Sequence, residues 1–192
     1  MTVEPFVKFA QWFAEAEESE PNDPNAMILA TATAAGKPSA RTVLLKAWDE
    51  RGFVFYTNLE SRKSVEIKEN PNAALLFHWK SRRRQIRIEG QVALVEDTQA
   101  DAYYATRPRG SRLGAWASAQ SRPLKDRETF ERDLANVEAR FPDETIPRPP
   151  FWSGWRLRPD HFEFWQDQQY RLHDRLTFAR TTTGWLPGRL YP

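Results

Sequence analysis

Residues 27–95 consist of short β-rich runs separated by brief turns, and this spacing restricts the possible folds more than any other feature. The runs predict strands at about 27–33, 39–47, 53–57, 73–79 and 84–95. A parallel crossover needs roughly a dozen residues or more, so such brief connections favour antiparallel neighbours. Residues 61–70 interrupt the pattern as a short helix, which Pro71 ends.

The rest of the chain adds helices and a second group of strands. Pro5 and the apolar residues that follow it at helical spacing predict a helix over 5–18. Further helices are predicted at 98–106 and 123–141, the second with Ser121 as N-cap and Pro123 in its first turn. After a proline-rich connector, strands are predicted at 151–158, 161–166 and 170–180, with a turn at Thr183-Gly184.

These elements fit one mainly β domain over residues 1–192, in which residues 1–19 form an N-terminal helix or arm. A chain of 192 residues has the usual length of a single domain and can bury a sizeable core. Hydrophobic residues make up 40% of it, which excludes a disordered protein. Seven or eight short strands with few helices predict a closed or nearly closed antiparallel β-barrel with peripheral helices.

Several standard chemical signatures are missing from the sequence. It has no cysteine, which excludes disulfides, thiolate nucleophiles and Cys-based metal sites. It has no Gly-rich dinucleotide loop, phosphate loop or Gly-x-Ser-x-Gly elbow. His78, His161 and His173 lie far apart without ligand-like spacing, so we expect no metal site. An enzyme of this kind would take its reactive group from a cofactor.

Neither a membrane span nor a secretory signal is visible in the sequence. The longest apolar runs, such as residues 73–77, fall far short of the roughly 18 residues of a spanning helix. The first five residues contain neither a basic nor an apolar signal region. We therefore expect a cytoplasmic protein with no membrane partner.

Charge is unevenly distributed although the net charge is only +2. An acidic segment at 15–23 contrasts with two basic clusters, at residues 80–84 and 107–112. Local positive clusters on a nearly neutral chain suggest a small anionic ligand more than a long polyanion. A solvated basic face explains the same composition equally well.

Two short segments carry a more specific signal. Arg62 and Lys63 begin a predicted helix, where the macrodipole disfavours cations, and a bound phosphate would resolve this conflict. A solvent-exposed pair of cations is the alternative. On the strand predicted at 170–180, Arg171, His173 and Arg175 share one face, which favours contact with an anionic or aromatic ligand over a solvated surface.

Other candidates are weaker. Arg41 and Lys46 bracket an apolar strand, and on a regular strand they would face opposite ways. Arg107, Arg109, Ser111 and Arg112 lie in a predicted Pro/Gly loop suited to phosphate contacts. Trp116 and Trp165 fit either the core or the wall of a flat aromatic ligand site.

Several strings together resemble the pyridoxine/pyridoxamine 5′-phosphate oxidase family, in the family's order and spacing from about residue 20 to the C-terminus. They are RTVLLK (41–46), FYTN (55–58), SRK (61–63), RRQIRIEG (83–90), RPRGSRLGAW (107–116), QS (120–121), FW-x-G (151–154) and FWQ…RLHDR (164–175). The departures are Thr42, Arg112 and the turn at 167–170, which is Gly-rich or small in many members. The resemblance implies an FMN-binding split β-barrel that works as a homodimer, with FMN at the subunit interface.

The resemblance also implies ligand contacts, some of them from the partner subunit. The FMN contacts are Arg41, Thr42, Val43, Leu44, Leu45, Lys46, Tyr56, Thr57, Arg62, Lys63, Gln85, Gln120, Ser121, Trp165 and Arg175. The substrate phosphate contacts are Lys46, Tyr103, Arg107 and Ser111, while Arg171, Leu172 and His173 lie near the reacting ring. Arg171 and His173 are the expected catalytic residues.

The implied reaction is oxidation of pyridoxamine or pyridoxine 5′-phosphate to pyridoxal 5′-phosphate, with O2 as electron acceptor and H2O2 as product. A flavin oxidase for another ring substrate, such as a phenazine precursor, is the alternative within the fold. From a different class, a small β-barrel with basic loops and aromatic residues could bind single-stranded nucleic acid. The four phosphate-contact residues argue against the phenazine-type alternative, and we expect no nucleic-acid partner.

Overall fold

A computed structural model describes residues 4–192, which form one continuous antiparallel β-sheet surrounded by helices. The helices are α1 (Pro5–Ser19), α2 (Arg62–Glu69), α3 (Asp97–Ala105), α4 (Arg109–Ala117) and α5 (Arg127–Arg140). The strands are β1 (Ala26–Ala32), β2 (Pro38–Leu44), β3 (Ala47–Asp49), β4 (Gly52–Asn58), β5 (Asn72–Trp79), β6 (Arg84–Leu94), β7 (Trp152–Gln166), β8 (Asp174–Thr181) and β9 (Gly184–Arg189). The first residues of the predicted N-terminal arm, 1–3, lie outside the described residues.

Strand order in the sheet is β2-β1-β5-β6-β7-β4-β3, with β8 paired to β7 and β9 to β8. Every pair is antiparallel, as the short connections predicted. No ladder joins β2 to β3 within residues 4–192, so the curled sheet is a half-barrel rather than a closed barrel.

The long strand β7 organises this sheet. One edge of β7 pairs with β6, while the other edge pairs first with β4 and then with β8. The two strands predicted at 151–158 and 161–166 are therefore one strand of 15 residues. A shift in the register between β6 and β7, opposite Glu89 and Gly90, lets β7 continue past Pro159. A Cβ on Gly90 would lie 2.0 Å from the Arg158 carbonyl oxygen, so only glycine permits this close backbone approach.

Aromatic side chains from α1 and the sheet form the core. Phe9 is fully buried, and its ring packs edge-on against Phe53 and Phe77 at centroid distances of 4.8 and 5.4 Å. Such edge-to-face pairs stabilise a core beyond the area they bury. The apolar face that predicted helix α1 therefore packs against the sheet and covers one side of the half-barrel.

Further details of the predicted elements were wrong. Residues 109–117 form helix α4 rather than a loop; Leu113 is buried there, and the Tyr104 hydroxyl donates to the Arg112 carbonyl oxygen at 2.9 Å. Helix α5 begins at Arg127 because Asp126, not Ser121, accepts from the Thr129 backbone N–H. Strand β8 begins at Asp174, after a 3₁₀ turn at Gln169–Arg171, and a further strand, β9, follows the turn at Gly184.

Candidate active site

A cleft of about 740 Å³ opens between the end of β2, β4, the start of α2 and helices α3 and α4. This volume is in the range typical of ligand sites. Its lining residues are Thr42, Val43, Leu44, Lys46, Tyr56, Thr57, Asn58, Lys63, Tyr103, Thr106, Arg107, Pro108, Ser111, Gly114, Ala115, Ser118, Gln120 and Trp152. Most of the FMN contacts predicted in β2, β4 and α2, and all four predicted substrate-phosphate contacts, therefore meet in one place.

Lys63 is one of the cations that line this cleft. Its Nζ donates to Thr57 Oγ1 at 2.9 Å, Ser61 Oγ at 3.1 Å and Gln120 Oε1 at 2.8 Å. Burial and, to a smaller extent, the charge of the nearby Arg41 together lower the pKa of Lys63 to about 8. None of its partners is a carboxylate, so within residues 4–192 the charge of Lys63 remains uncompensated. An anion in the cleft would restore the balance.

Glu66 compensates the two neighbouring arginines instead. Its buried carboxylate accepts from Ser39 and Thr31 at 2.5 Å and pairs with Arg62 at 2.9 Å and Arg41 at 3.3 Å. Burial opposes ionisation, but these hydrogen bonds and the charge of Arg41 outweigh it and lower the pKa of Glu66 to about 2. Arg41 thus faces the polar contact between β1, β2 and α2 and does not line the cleft.

Arg107 is the second uncompensated cation. Its guanidinium lies over the Trp152 ring at 4.7 Å from the centroid, and its buried Nη1 has no hydrogen-bond partner among the described residues. Burial lowers its pKa from the ordinary value. Beside it, Tyr56 and Tyr103 stack with centroids 3.9 Å apart, and Tyr56 continues the stack onto Trp152 at 5.4 Å. The cleft therefore combines an aromatic wall with a guanidinium that can grip a phosphate.

The other predicted ligand residues form a second cluster at the far end of β7. Gln85, Trp165 and Arg175 lie in register across β6, β7 and β8, and Arg175 pairs with the buried Glu163 at 2.6 Å. The His173 ring lies 4.5 Å from that of Trp165. Since β7 has 15 residues at roughly 3.3 Å each, roughly 45 Å of extended chain separates this cluster from the Trp152 end.

The prediction that one strand face carries Arg171, His173 and Arg175 was wrong. Arg171 has φ 64° and follows Tyr170 with φ 57°, so both residues adopt the left-handed conformation in a turn that precedes β8. Arg171 and Leu172 are exposed, whereas His173 is turned back onto Trp165. A left-handed non-glycine pair costs energy, and such strain concentrates at functional sites. A turn, rather than strand alternation, presents these side chains.

Other predicted positions lie outside the cleft for clear physical reasons. Leu45 is buried, with its backbone N–H donating to the Asn25 carbonyl oxygen. Ser121 follows Gln120 in an exposed turn with φ 71°. Trp116 donates to the Pro147 carbonyl oxygen and packs against Phe141, so it belongs to the layer of α4 and α5.

Sequence reasoning missed several lining residues and the internal partners of the cations. Asn58 and Trp152 line the cleft, and both belong to strings that carried the family resemblance. Glu66 was visible only as an acidic residue four positions after Arg62. Glu163 gave no signal, because its role depends on strand pairing with β8.

Within residues 4–192, no cluster of three His, Asp or Glu side chains is arranged to hold a metal ion. None of the described helices combines the length and apolar character needed to cross a membrane. The cytoplasmic location stays a prediction.

Comparison with solved structures defines the class of fold first. PhzG from Burkholderia lata 383, crystallised with tetrahydrophenazine-1-carboxylic acid, superimposes with a TM-score of 0.92 at 35% identity and covers 98% of this chain and 93% of its own. A pyridoxamine 5′-phosphate oxidase-related, FMN binding protein from Nostoc punctiforme shares the fold at 20% identity, with a TM-score of 0.79 over 100% of both chains. The half-barrel described above is the split β-barrel of these proteins.

Comparison of sequences then defines the family. Residues 13–141 match the family model described as pyridoxamine 5′-phosphate oxidase, and residues 152–192 match the pyridoxine 5′-phosphate oxidase C-terminal dimerisation region. The pyridoxine/pyridoxamine 5′-phosphate oxidases of Sphingopyxis alaskensis and Gluconobacter oxydans are each 61% identical over 192 residues, covering 100% of this chain and 89% and 96% of theirs. The chain belongs to the pyridoxine/pyridoxamine 5′-phosphate oxidase family.

Proposed function

We propose that this protein oxidises pyridoxamine 5′-phosphate and pyridoxine 5′-phosphate to pyridoxal 5′-phosphate with FMN as cofactor. The observation that carries the proposal is that two half-buried cations, Lys63 and Arg107, lie in one cleft beside an aromatic stack without a carboxylate partner among the described residues. A flavin mononucleotide and a phosphorylated pyridine each bring one phosphate and one flat ring. The cleft offers a matching cation for each phosphate, and family membership at 61% identity supports the same reaction.

FMN fits the Lys63 side of the cleft. Lys63, Thr57 and Gln120 are already joined by hydrogen bonds there, and a phosphate would supply the negative charge that Lys63 lacks. Two further cations near Lys63, Arg62 and Arg41, lie outside the cleft lining. They add to the positive potential at the site, although Glu66 offsets part of their charge. Bound FMN supplies the hydride acceptor, which no side chain of this protein can provide.

The substrate phosphate fits the Arg107 side. Lys46, Tyr103, Arg107 and Ser111 line the cleft there, and Arg107 can donate two parallel hydrogen bonds to phosphate oxygens. Because Arg107 is already half-buried against Trp152, it loses less hydration when the phosphate binds than an exposed arginine would. These residues hold the phosphate end of the substrate, and that grip fixes the position of the reacting carbon.

The remaining ligand residues come from a second copy of the chain in this proposal. These residues lie at the opposite end of β7 from the cleft, too far along the strand to contact a ligand in the cleft of their own chain. They are Gln85, Trp165, Arg171, His173 and Arg175. A homodimer with FMN at the subunit interface brings the two ends together. Side chains of the C-terminal region are unusually exposed for apolar residues: Leu172 by 65%, Leu186 by 63% and Tyr191 by 93%.

The overall reaction balances without a metal. The amine substrate, water and O2 give the aldehyde, ammonia and H2O2, whereas the alcohol substrate and O2 give the aldehyde and H2O2. In each turnover the substrate loses two electrons and two protons, and O2 takes up both. The protein contributes binding, orientation and electrostatics to this exchange.

Aerobic turnover of pyridoxamine 5′-phosphate with detection of H2O2 and of the aldehyde tests the proposal. We expect a yellow protein that forms both products in equal amounts and has little activity on pyridoxamine, which lacks the phosphate. Arg107→Ala is the matched variant, and it should raise KM for the phosphorylated substrate.

Two outcomes would contradict the proposal. A flavoprotein that oxidises a reduced phenazine carboxylic acid but not the B6 phosphates would favour the phenazine-type alternative. A colourless protein with steep salt-dependent binding of oligonucleotides would indicate a nucleic-acid-binding barrel.

A further inference from the structure

The turn between β7 and β8 contains a carboxylate that contacts the imidazole of His173. Asp167 Oδ1 lies 3.1 Å from His173 Nδ1, and the two side chains are only 13% and 11% exposed. The Trp165 ring covers the imidazole at 4.5 Å. A largely buried carboxylate against one nitrogen of a histidine sets the ring's orientation and the position of its proton.

Nδ1 of His173 also has a second neighbour. The backbone N–H of Gln168 donates to Nδ1 at 3.2 Å. A protonated Nδ1 can donate to Asp167, and an unprotonated Nδ1 can accept from Gln168. These two hydrogen bonds exclude each other, because Nδ1 cannot donate and accept at the same time. A hydrogen bond from Nδ1–H to a carboxylate is charge-assisted and stronger than one from a neutral N–H to Nδ1, so the contact with Asp167 favours the protonated Nδ1 and leaves Nε2 for a ligand.

The charges around this pair hold Asp167 in place. Arg83, from the turn between β5 and β6, forms an ion pair with Asp167 Oδ2. Asp174 instead accepts from the Gln168 side chain at 2.8 Å, and Arg175 is engaged by Glu163. Arg171 is exposed on the same turn. Asp167 is thus the carboxylate that directly contacts the imidazole within residues 4–192.

We propose that Asp167 is a positioning residue: its carboxylate accepts the Nδ1–H of His173, holds the imidazole against Trp165 and directs Nε2 to the substrate. The role of the pair in turnover rests on the proposed function. Asp167 itself does not touch the substrate in this arrangement. It acts through His173, and Arg83 keeps it oriented from the other side.

Asp167→Asn tests this with minimal change in shape. An asparagine in this place can present its NH2 to Nδ1, which favours the opposite tautomer with the proton on Nε2. We expect kcat to fall about tenfold or more while KM changes less than twofold. Asp174→Asn is the matched control: its carboxylate is one residue from His173 but contacts Gln168, so kcat should be unchanged.

A double-mutant cycle distinguishes positioning from a general effect on stability. If Asp167 acts through His173, Asp167→Asn should have no further effect on kcat in a His173→Gln background. Full additivity of the two losses in log kcat would overturn the proposal, and so would an unchanged kcat in Asp167→Asn. The melting temperature and FMN content of each variant show whether it is folded and loaded.

Imidazole ¹⁵N NMR of the flavin-loaded protein supplies a readout that needs no turnover. His173 is assigned by its loss in His173→Gln. We expect its Nδ1 to be of the protonated type, and to shift towards the unprotonated type in Asp167→Asn but not in Asp174→Asn. An unprotonated Nδ1 in the unmodified protein would overturn the assignment even if turnover were as proposed. A normal NMR pattern without B6-phosphate turnover would instead reject the proposed function alone.

Discussion

At the scale of single residues, the site is marked by cations that lack a carboxylate, not by the density of cations. The composition of the basic segment at 80–84 fits a small anionic ligand or a solvated face equally well, but in the fold Arg84 pairs with Glu15, Arg82 with Glu18 and Arg83 with Asp167. In the segment at 107–112, Arg109 and Arg112 pair with Glu144. Arg107 is left without an ion pair in the described part of the chain, and it is the arginine of this segment that lines the cleft.

Lys63→Ala should weaken FMN binding far more than it affects folding. If Lys63 pairs with the FMN phosphate, its loss removes a charge-assisted bond worth roughly 1.5–3 kcal/mol, which corresponds to a ten- to hundredfold rise in Kd. Lys68→Ala, on the same helix with its Nζ on the Leu59 carbonyl oxygen, is the control. Flavin fluorescence titration measures Kd, and equal values for both variants would reject the assignment.

FMN affinity should also depend on pH through Lys63. Its pKa of about 8 lies below the ordinary value of 10.5, so the free protein loses this charge as pH rises through about 8. A bound phosphate favours the protonated lysine, and binding above pH 8 must therefore take up a proton. The association constant should fall by up to about tenfold per pH unit above pH 8. Titration of Lys63→Ala should show no such fall beginning at pH 8; the same dependence in both proteins would exclude Lys63 as its source.

Residues near the reacting ring should affect turnover rather than cofactor retention. We expect Arg171→Leu and His173→Ala each to keep FMN while kcat falls about tenfold or more, because small misplacements of a bound substrate cost rate. Lys46→Ala should instead mainly raise KM, since it removes a phosphate contact. Steady-state kinetics and flavin absorbance measure these effects. Loss of FMN from Arg171→Leu, with full turnover once flavin is restored, would show that Arg171 serves the cofactor.

At the scale of elements, helix α2 is joined to the sheet by one buried carboxylate. Glu66 connects α2 with Thr31 on β1 and with Ser39 and Arg41 on β2. This contact fixes the start of α2, and therefore Lys63, relative to the cleft. The helix was predicted from its pattern, but its attachment was not, because the three partners on the sheet, Thr31, Ser39 and Arg41, are distant in sequence from Glu66.

The contact that attaches α2 to the sheet should make the free energy of unfolding decrease at acidic pH. The folded state lowers the pKa of Glu66 from 4.5 to about 2, so its ionised form stabilises the fold above pH 4.5. This stabilisation, on the order of 3 kcal/mol, is lost as pH falls from 4.5 to 2. Chemical denaturation of Glu66→Gln should give a lower free energy of unfolding at pH 7 and a weaker dependence on pH below 4.5. Parallel curves for the two proteins would contradict this.

At the scale of the whole molecule, β7 separates the two halves of the proposed site. The cleft with Arg107 lies at its Trp152 end, and the turn with His173 follows its Gln166 end. A twofold-symmetric dimer can place the turn of one copy against the cleft of the other and make two equivalent sites. A single domain over residues 1–192 stays a prediction, as does the subunit origin of each contact.

Complementation between two damaged subunits tests this arrangement. Arg107→Ala and His173→Ala damage opposite ends of β7, so a random mixed dimer should contain one intact site. Subunit exchange should then restore about one quarter of the normal number of intact sites. Turnover is measured at substrate concentrations below KM, where the homodimer of each variant alone has low activity.

The matched control combines Arg107→Ala with Ser111→Ala. Both residues line the same cleft, so no site in that mixed dimer is intact and no activity should return. Absence of complementation in the first pair, with subunit exchange demonstrated by mass, would show that each site is built from one chain.

The sequence by itself determined the mainly β class, the antiparallel pairing and helices α1, α2 and α3, and its resemblance to the family indicated most of the residues of the cleft. These features depend on local pattern or on contiguous motifs. Only the tertiary structure decided that residues 151–166 form one strand, that Arg41 turns to Glu66, and that His173 rests against Trp165 beside Asp167. The physical reason is that burial, strand register and ion pairing arise between segments far apart in the chain. A local pattern can show which residues are charged, but only the fold decides which charges are left for a ligand.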